Sequence, residues 1–72
     1  FTIDFYNREL LQEIEAHINI QPSDIQRIFR LHIYGDMTFM QIAKVLEMPE
    51  ATIKTKFYRT VKQIKEVLKY ER

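Results

Sequence analysis

The side chains in this chain best placed to do chemistry are cations. Lys54, Lys56, Arg59 and Lys62 fall within one stretch, between Ala51 and Lys65, that contains no acid. Ammonium and guanidinium groups at this density hold polyanions, above all the phosphates of nucleic acid. Thr52, Thr55 and Tyr58 are interleaved with them, and hydroxyls and aromatic rings are groups that meet base edges. The net charge of +1 conceals this concentration. Residues 1–36 carry three basic and six acidic groups, net −3, whereas residues 37–72 carry eight basic and four acidic, net +4. A basic working surface is therefore expected toward the C-terminal end.

Other chemistries find no foothold. His17 and His32 fall in different helical segments without an acidic or cysteine partner at ligand spacing, so a metal site is not expected. Ser23 lacks the glycine-flanked elbow of a nucleophile. Glu13 and Glu15 stand two apart on a helix and point in different directions, which rules them out as a paired acid and base. A single glycine cannot build a phosphate-cradling loop. The expectation is a binding protein, not an enzyme, with no cofactor. With no cysteine there is neither disulfide nor thiolate metal site, a composition that suits a reducing cytosol. No apolar run exceeds four residues, so no segment is long enough to span a bilayer, and no signal peptide is evident.

Four helices must position those cations. A chain of 72 residues forms one domain that buries only about 60% of its unfolded surface. Leu10, Leu11, Ile14 and Ile18 recur at spacings of three and four, which predicts an amphipathic helix over Asp4–Ile18, capped by Thr2 or Asp4. Pro22 interrupts it. A second helix is expected from about Ser23 to Tyr34, with Ile25, Ile28, Phe29 and either His32 or Ile33 inward. Gly35 is expected to close it in the left-handed conformation. Thr38 and Gln41 have capping-box spacing and open a short helix, to about Leu46, with Phe39, Ile42, Ala43 and Leu46 inward. After Glu47-Met48-Pro49, with Pro49 suited to a first turn, the last helix runs from Glu50 to about Tyr70. Ile53, Phe57, Val61 or Thr60, Ile64 and Leu68 form its apolar stripe. Met37 and Met48 suit gap-filling in a small core.

Two helices joined by about three residues, the second basic on its outside, are the elements of a helix-turn-helix, here at about residues 38–62. Ala43 gives the short helix a narrow crossing point, and Ile42, Leu46, Met48 and Ile53 supply the contacts that fix the angle. On a helical wheel with Ile53 at zero, the buried face centres near about 20°. Tyr58 at about 140°, Lys62 at about 180°, Thr55 at about 200° and Arg59 at about 240° lie opposite. Lys54 and Lys56 fall on the two flanks, where the phosphates of the groove walls would stand. Thr38 would add a hydroxyl or backbone amide to a phosphate.

The stretch IQRIFRLHIYGDMTFMQIAKVLEMPEATIKTKFYRTVKQIKEVL, residues 25–68, resembles region 4 of bacterial RNA polymerase sigma factors, particularly the extracytoplasmic-function group. Arg27, Ile28, Phe29 and Leu31 match the arginine, apolar residues and leucine of that pattern. Gly35 and Thr38 match its Gly-x-x-Ser/Thr turn, Gln41-Ile42-Ala43 its Glu-Ile-Ala core, and Thr52-Ile53-Lys54-Thr55-Lys56 its Thr-Val-Lys-Ser-Arg; Arg59 matches the arginine that follows. The sequence departs from it at Gln41 for glutamate, Ala51 for a frequent glycine, and Glu47 for the glycine of the turn. A left-handed conformation at Glu47 costs roughly 1 kcal/mol. Glu50 suits the helix dipole but repels a phosphate at that end.

The resemblance implies an all-α, four-helix domain that binds the −35 element of double-stranded promoter DNA in the major groove. It also implies contact with the β flap of the RNA polymerase core, an anti-sigma factor as a further partner, and residence in the bacterial cytoplasm, not the membrane. Carried over by position, Lys54, Thr55, Tyr58 and Arg59 are the DNA-contacting residues, with Thr52 and Lys56 adjacent. Residues 1–72 are then expected to be one domain from the C-terminal part of a longer sigma factor. The competing readings are a stand-alone helix-turn-helix regulator, which would dimerise, and a protein-interaction module whose basic helix meets polymerase or an anti-sigma inhibitor, with DNA secondary. The acidic first helix, with Glu9, Glu13 and Glu15 exposed, would serve there too.

Overall fold

The structure, a computed structural model, describes residues 8–70, and the side chains of residues 11–68. The caps expected at Thr2 and Asp4, and the side chains of Glu9 and Leu10, lie outside the described residues. Four helices follow one another: α1 (Arg8–Asn19), α2 (Ser23–Phe29), α3 (Phe39–Leu46) and α4 (Glu50–Tyr70). A π-helical turn, Arg30–Tyr34, continues α2 without a break. Among the described residues there is no strand, and no helix is long and apolar enough to cross a membrane.

One core joins all four helices. Ile14 and Ile18 come from α1, Ile28 and Phe29 from α2, Ile42 from α3, and Ile53, Phe57, Val61 and Ile64 from α4. Phe29 and Phe57 stack at its centre, ring centroids 4.6 Å apart. Each such side chain contributes about 1.5–3 kcal/mol on leaving water. Val61 and Thr60 are both buried, so the stripe of α4 is wider than a choice of one. Thr60 tolerates this because its hydroxyl donates to the Lys56 carbonyl at 2.9 Å. Met37 and Met48 pack against the core edge, as gap-fillers do.

The helix ends show how local chemistry sets the path. Pro22 precedes α2, and its carbonyl accepts from the Gln26 amide at 3.1 Å. Pro49 does the same for Ile53 at 3.1 Å, one position ahead of the first turn in which it was expected. The end of α2 differs more. Gly35 is not left-handed: its φ is −88°, and Asp36 takes the positive φ, 54°. The Gly35 amide donates to the Arg30 carbonyl, the five-residue reach of a π turn, and Met37 donates to Leu31, both at 3.0 Å. Glycine is required for closeness, not for handedness. A Cβ at position 35 would stand 2.8 Å from the Leu31 carbonyl oxygen. In the same turn His32 and Ile33 are both half-buried, not one or the other.

Candidate nucleic-acid interface

The short helix α3 braces the long one. Its start is closed by both halves of a capping box: the Gln41 amide donates to Thr38 Oγ1 at 3.1 Å, and the Thr38 amide donates to Gln41 Oε1 at 2.9 Å. Its end is closed by Glu47 at φ 55°, ψ 46°, with the Met48 amide on the Ala43 carbonyl at 3.0 Å. That is the left-handed conformation glycine would adopt freely, and here a glutamate bears its cost of roughly 1 kcal/mol. Residues 47–49 therefore form a tight three-residue connection. Ile42 and Ile53 are fully buried across it, with Ala43, Leu46 and Met48 packed alongside.

The bracing leaves one side of α4 uncovered. Lys54, Thr55, Tyr58, Arg59 and Lys62 are exposed, while Thr52 and Lys56 are half-buried. A shallow depression lined by Ala51, Thr52, Thr55, Lys56 and Arg59 opens on this side. The side chains in and around it are differently engaged. Thr55 donates its hydroxyl to the Ala51 carbonyl at 2.9 Å. With its proton so committed, the exposed hydroxyl has only acceptor capacity left, which suits a base amino group. Tyr58 is 58% exposed, yet its ring is held edge-on by Phe39 at 5.8 Å and Phe57 at 5.3 Å. The bracing helix thus touches the outer surface as well as the core. Lys54 lies 3.8 Å from Glu50 across one helical turn, a loose and well-solvated pair. Arg59 and Lys62 have no ion-pair or hydrogen-bond partner among the described residues.

Lys56 stands beside the outer face, lining the depression with Thr55 and Arg59, but it is not free there. Its ammonium is bound by Asp24 Oδ2 of α2 at 2.6 Å. The other carboxylate oxygen of Asp24 accepts from the Ile25 amide at 2.9 Å. The hydrogen bond from Lys56 is the main reason the Asp24 carboxyl is held below the ordinary carboxylate range, against the opposing effect of burial. Sequence reasoning missed Asp24 because 32 positions separate the two residues. Thr38 also offers less than expected. Its amide is committed to Gln41, so only its hydroxyl proton remains free to meet a phosphate.

His32 and Tyr34 are occupied structurally. His32 Nδ1 lies 2.8 Å from the Met37 carbonyl, and its ring stacks on Phe39 at 4.4 Å. Tyr34 donates to Glu15 at 3.0 Å, tying α1 to the π turn; burial and this carboxylate raise its phenol pKa. Among the described residues no group of His, Asp and Glu could hold a metal ion.

Against known proteins, the model of the family described as sigma-70, region 4 matches residues 22–64, more than half of the chain. Neither a curated protein nor a solved structure matches it.

Proposed function

Because the chain belongs to the sigma-70 region 4 family, whose members bind DNA and serve transcription, we propose that α4 reads the −35 promoter element in the major groove of double-stranded DNA. One observation carries this reading: Thr55, Tyr58 and Arg59 stand together on the outer face of a helix that a doubly capped α3 holds from behind. Base-edge groups occupy the middle of that face, and Lys62 extends it along the helix. Lys54 and the Thr38 hydroxyl meet phosphate at its margins, while Thr52 shapes the depression beside Thr55. The domain works as the C-terminal part of a longer sigma factor, docked on the β flap of RNA polymerase and open to an anti-sigma factor. Its setting is the bacterial cytoplasm.

Replacing both Thr55 and Arg59 by alanine tests the assignment. Each lost base contact costs about 1–3 kcal/mol of discrimination. The double variant is expected to bind a −35-like duplex no better than a scrambled one, in fluorescence anisotropy at fixed salt. An unchanged preference for the −35-like duplex overturns the assignment of these residues.

A further inference from the structure

The cations beside the depression on α4 are not equivalent. Arg59 and Lys62 are exposed and unpaired among the described residues. Lys54 has a carboxylate 3.8 Å away, too loose to hold it. Lys56 alone is closely bound, at 2.6 Å, and its partner comes from a different helix. Asp24 is itself fixed: Oδ1 accepts from the Ile25 amide and Oδ2 faces the ammonium, leaving the carboxylate little freedom to turn away. Both side chains are about one-third exposed, and Lys56 lines the same depression as Thr55 and Arg59. A phosphate approaching here meets a neutral pair, not a cation. It must also displace a carboxylate that already holds the ammonium at hydrogen-bond distance.

We propose that Asp24 limits the affinity of this domain for DNA by withholding Lys56 from the phosphate backbone, so that the interface engages DNA through Arg59, Lys62 and Lys54. The proposal rests on DNA binding by this face, but not on which sequence is read. Its signature is electrostatic. A cation that neutralises one more phosphate steepens the dependence of log K on log salt by about 0.9. It therefore adds a loss of about 3.5-fold between about 50 and about 200 mM salt. A purely structural brace would shift affinity by the same factor at every salt concentration.

The test uses the full 72-residue chain with two short duplexes, one −35-like and one scrambled, titrated across that salt range. Asp24→Asn keeps the oxygen that accepts from Ile25 and removes only the charge. It is expected to bind more tightly at low salt, with the slope steeper by about 0.9 on both duplexes. Lys56→Ala added to Asp24→Asn is expected to return the slope to that of the unsubstituted chain. Asp24→Ser, which keeps a side-chain oxygen near the Ile25 amide, serves as a second charge-free variant, and circular dichroism checks that each is folded. An unchanged slope in both charge-free variants overturns the proposal. So does uniformly weaker binding at all salts, which would make the bridge a prop for α4. So does a steeper slope that survives the loss of Lys56, which would make Asp24 a simple repulsive charge. Equal affinity for the two duplexes counts against promoter reading alone, since phosphates are common to both; a preserved site preference with an unmoved slope counts against the present proposal alone.

Discussion

The two faces of α4 share a threonine and an aromatic ring and put them to opposite ends. On the inner face Ile53, Phe57, Thr60, Val61 and Ile64 are buried; on the outer face Thr55, Tyr58, Arg59 and Lys62 are exposed. Thr55 and Thr60 make the same bond, a hydroxyl donated to the carbonyl four residues earlier. For Thr60 it makes burial tolerable. For Thr55 it commits the hydroxyl proton and leaves the exposed oxygen as an acceptor. Phe57 and Tyr58 are likewise neighbours in edge-to-face contact, one 2% and the other 58% exposed. Position on the helix, fixed by the packing of α2 and α3, decides whether each residue packs inward or faces outward.

The contrast predicts that substitutions sort cleanly into those that unfold the domain and those that only release DNA. Phe57→Ala removes the ring that meets Phe29, His32, Phe39 and Tyr58. It is expected to cost about 3–5 kcal/mol, most of the stability a domain this small possesses. The check is loss of a cooperative thermal transition in circular dichroism. Arg59→Ala, two positions away, is expected to leave that transition within about 0.5 kcal/mol and to cost about 1–3 kcal/mol in binding a preferred duplex. A comparable destabilisation by Arg59→Ala would dissolve the distinction between the faces.

Smaller effects sharpen how the outer face is aimed. Glu47→Gly relieves the left-handed strain in the turn between α3 and α4, and part of the gain is offset by the greater freedom of glycine in the unfolded chain. A net stabilisation of up to about 1 kcal/mol is expected, read as a higher urea midpoint. Asp24→Asn gives the smallest change in stability, and it has a sign that can be checked against pH. The Asp24 carboxyl is held below its ordinary range by Lys56. Its stabilising contribution is therefore full above the unfolded value of about 3.9 and disappears as pH falls through the lowered folded value. The difference in stability between the unsubstituted chain and Asp24→Asn is expected at neutral pH and should close in strong acid. A difference that stays constant with pH would mean the carboxylate charge has no part in it.

Much of this arrangement was legible in the sequence because it is local. Thr38 and Gln41 announce their capping box by spacing, and the stripe of Ile53, Phe57, Ile64 and Leu68 follows from helical period alone. Thr55, Tyr58 and Arg59 were placed outward by the same period. What escaped depends on the third dimension. Gly35 looked like a left-handed stop because glycine commonly is one, whereas the π turn carried the chain one residue further and gave that conformation to Asp36. Asp24 and Lys56 sit on separate helices, and only the packing of α2 against α4 brings them together. Glu47 was legible as a strained position only through the family pattern, because nothing in a glutamate signals positive φ.

The most direct test of the outer face is an amide NMR titration of isotope-labelled protein with a short duplex bearing a −35-like element, repeated with a scrambled duplex. The account predicts shifts that differ between the two duplexes and cluster on residues 52–62 and around Thr38. Shifts that are absent, identical for both duplexes, or centred on α1 would contradict it.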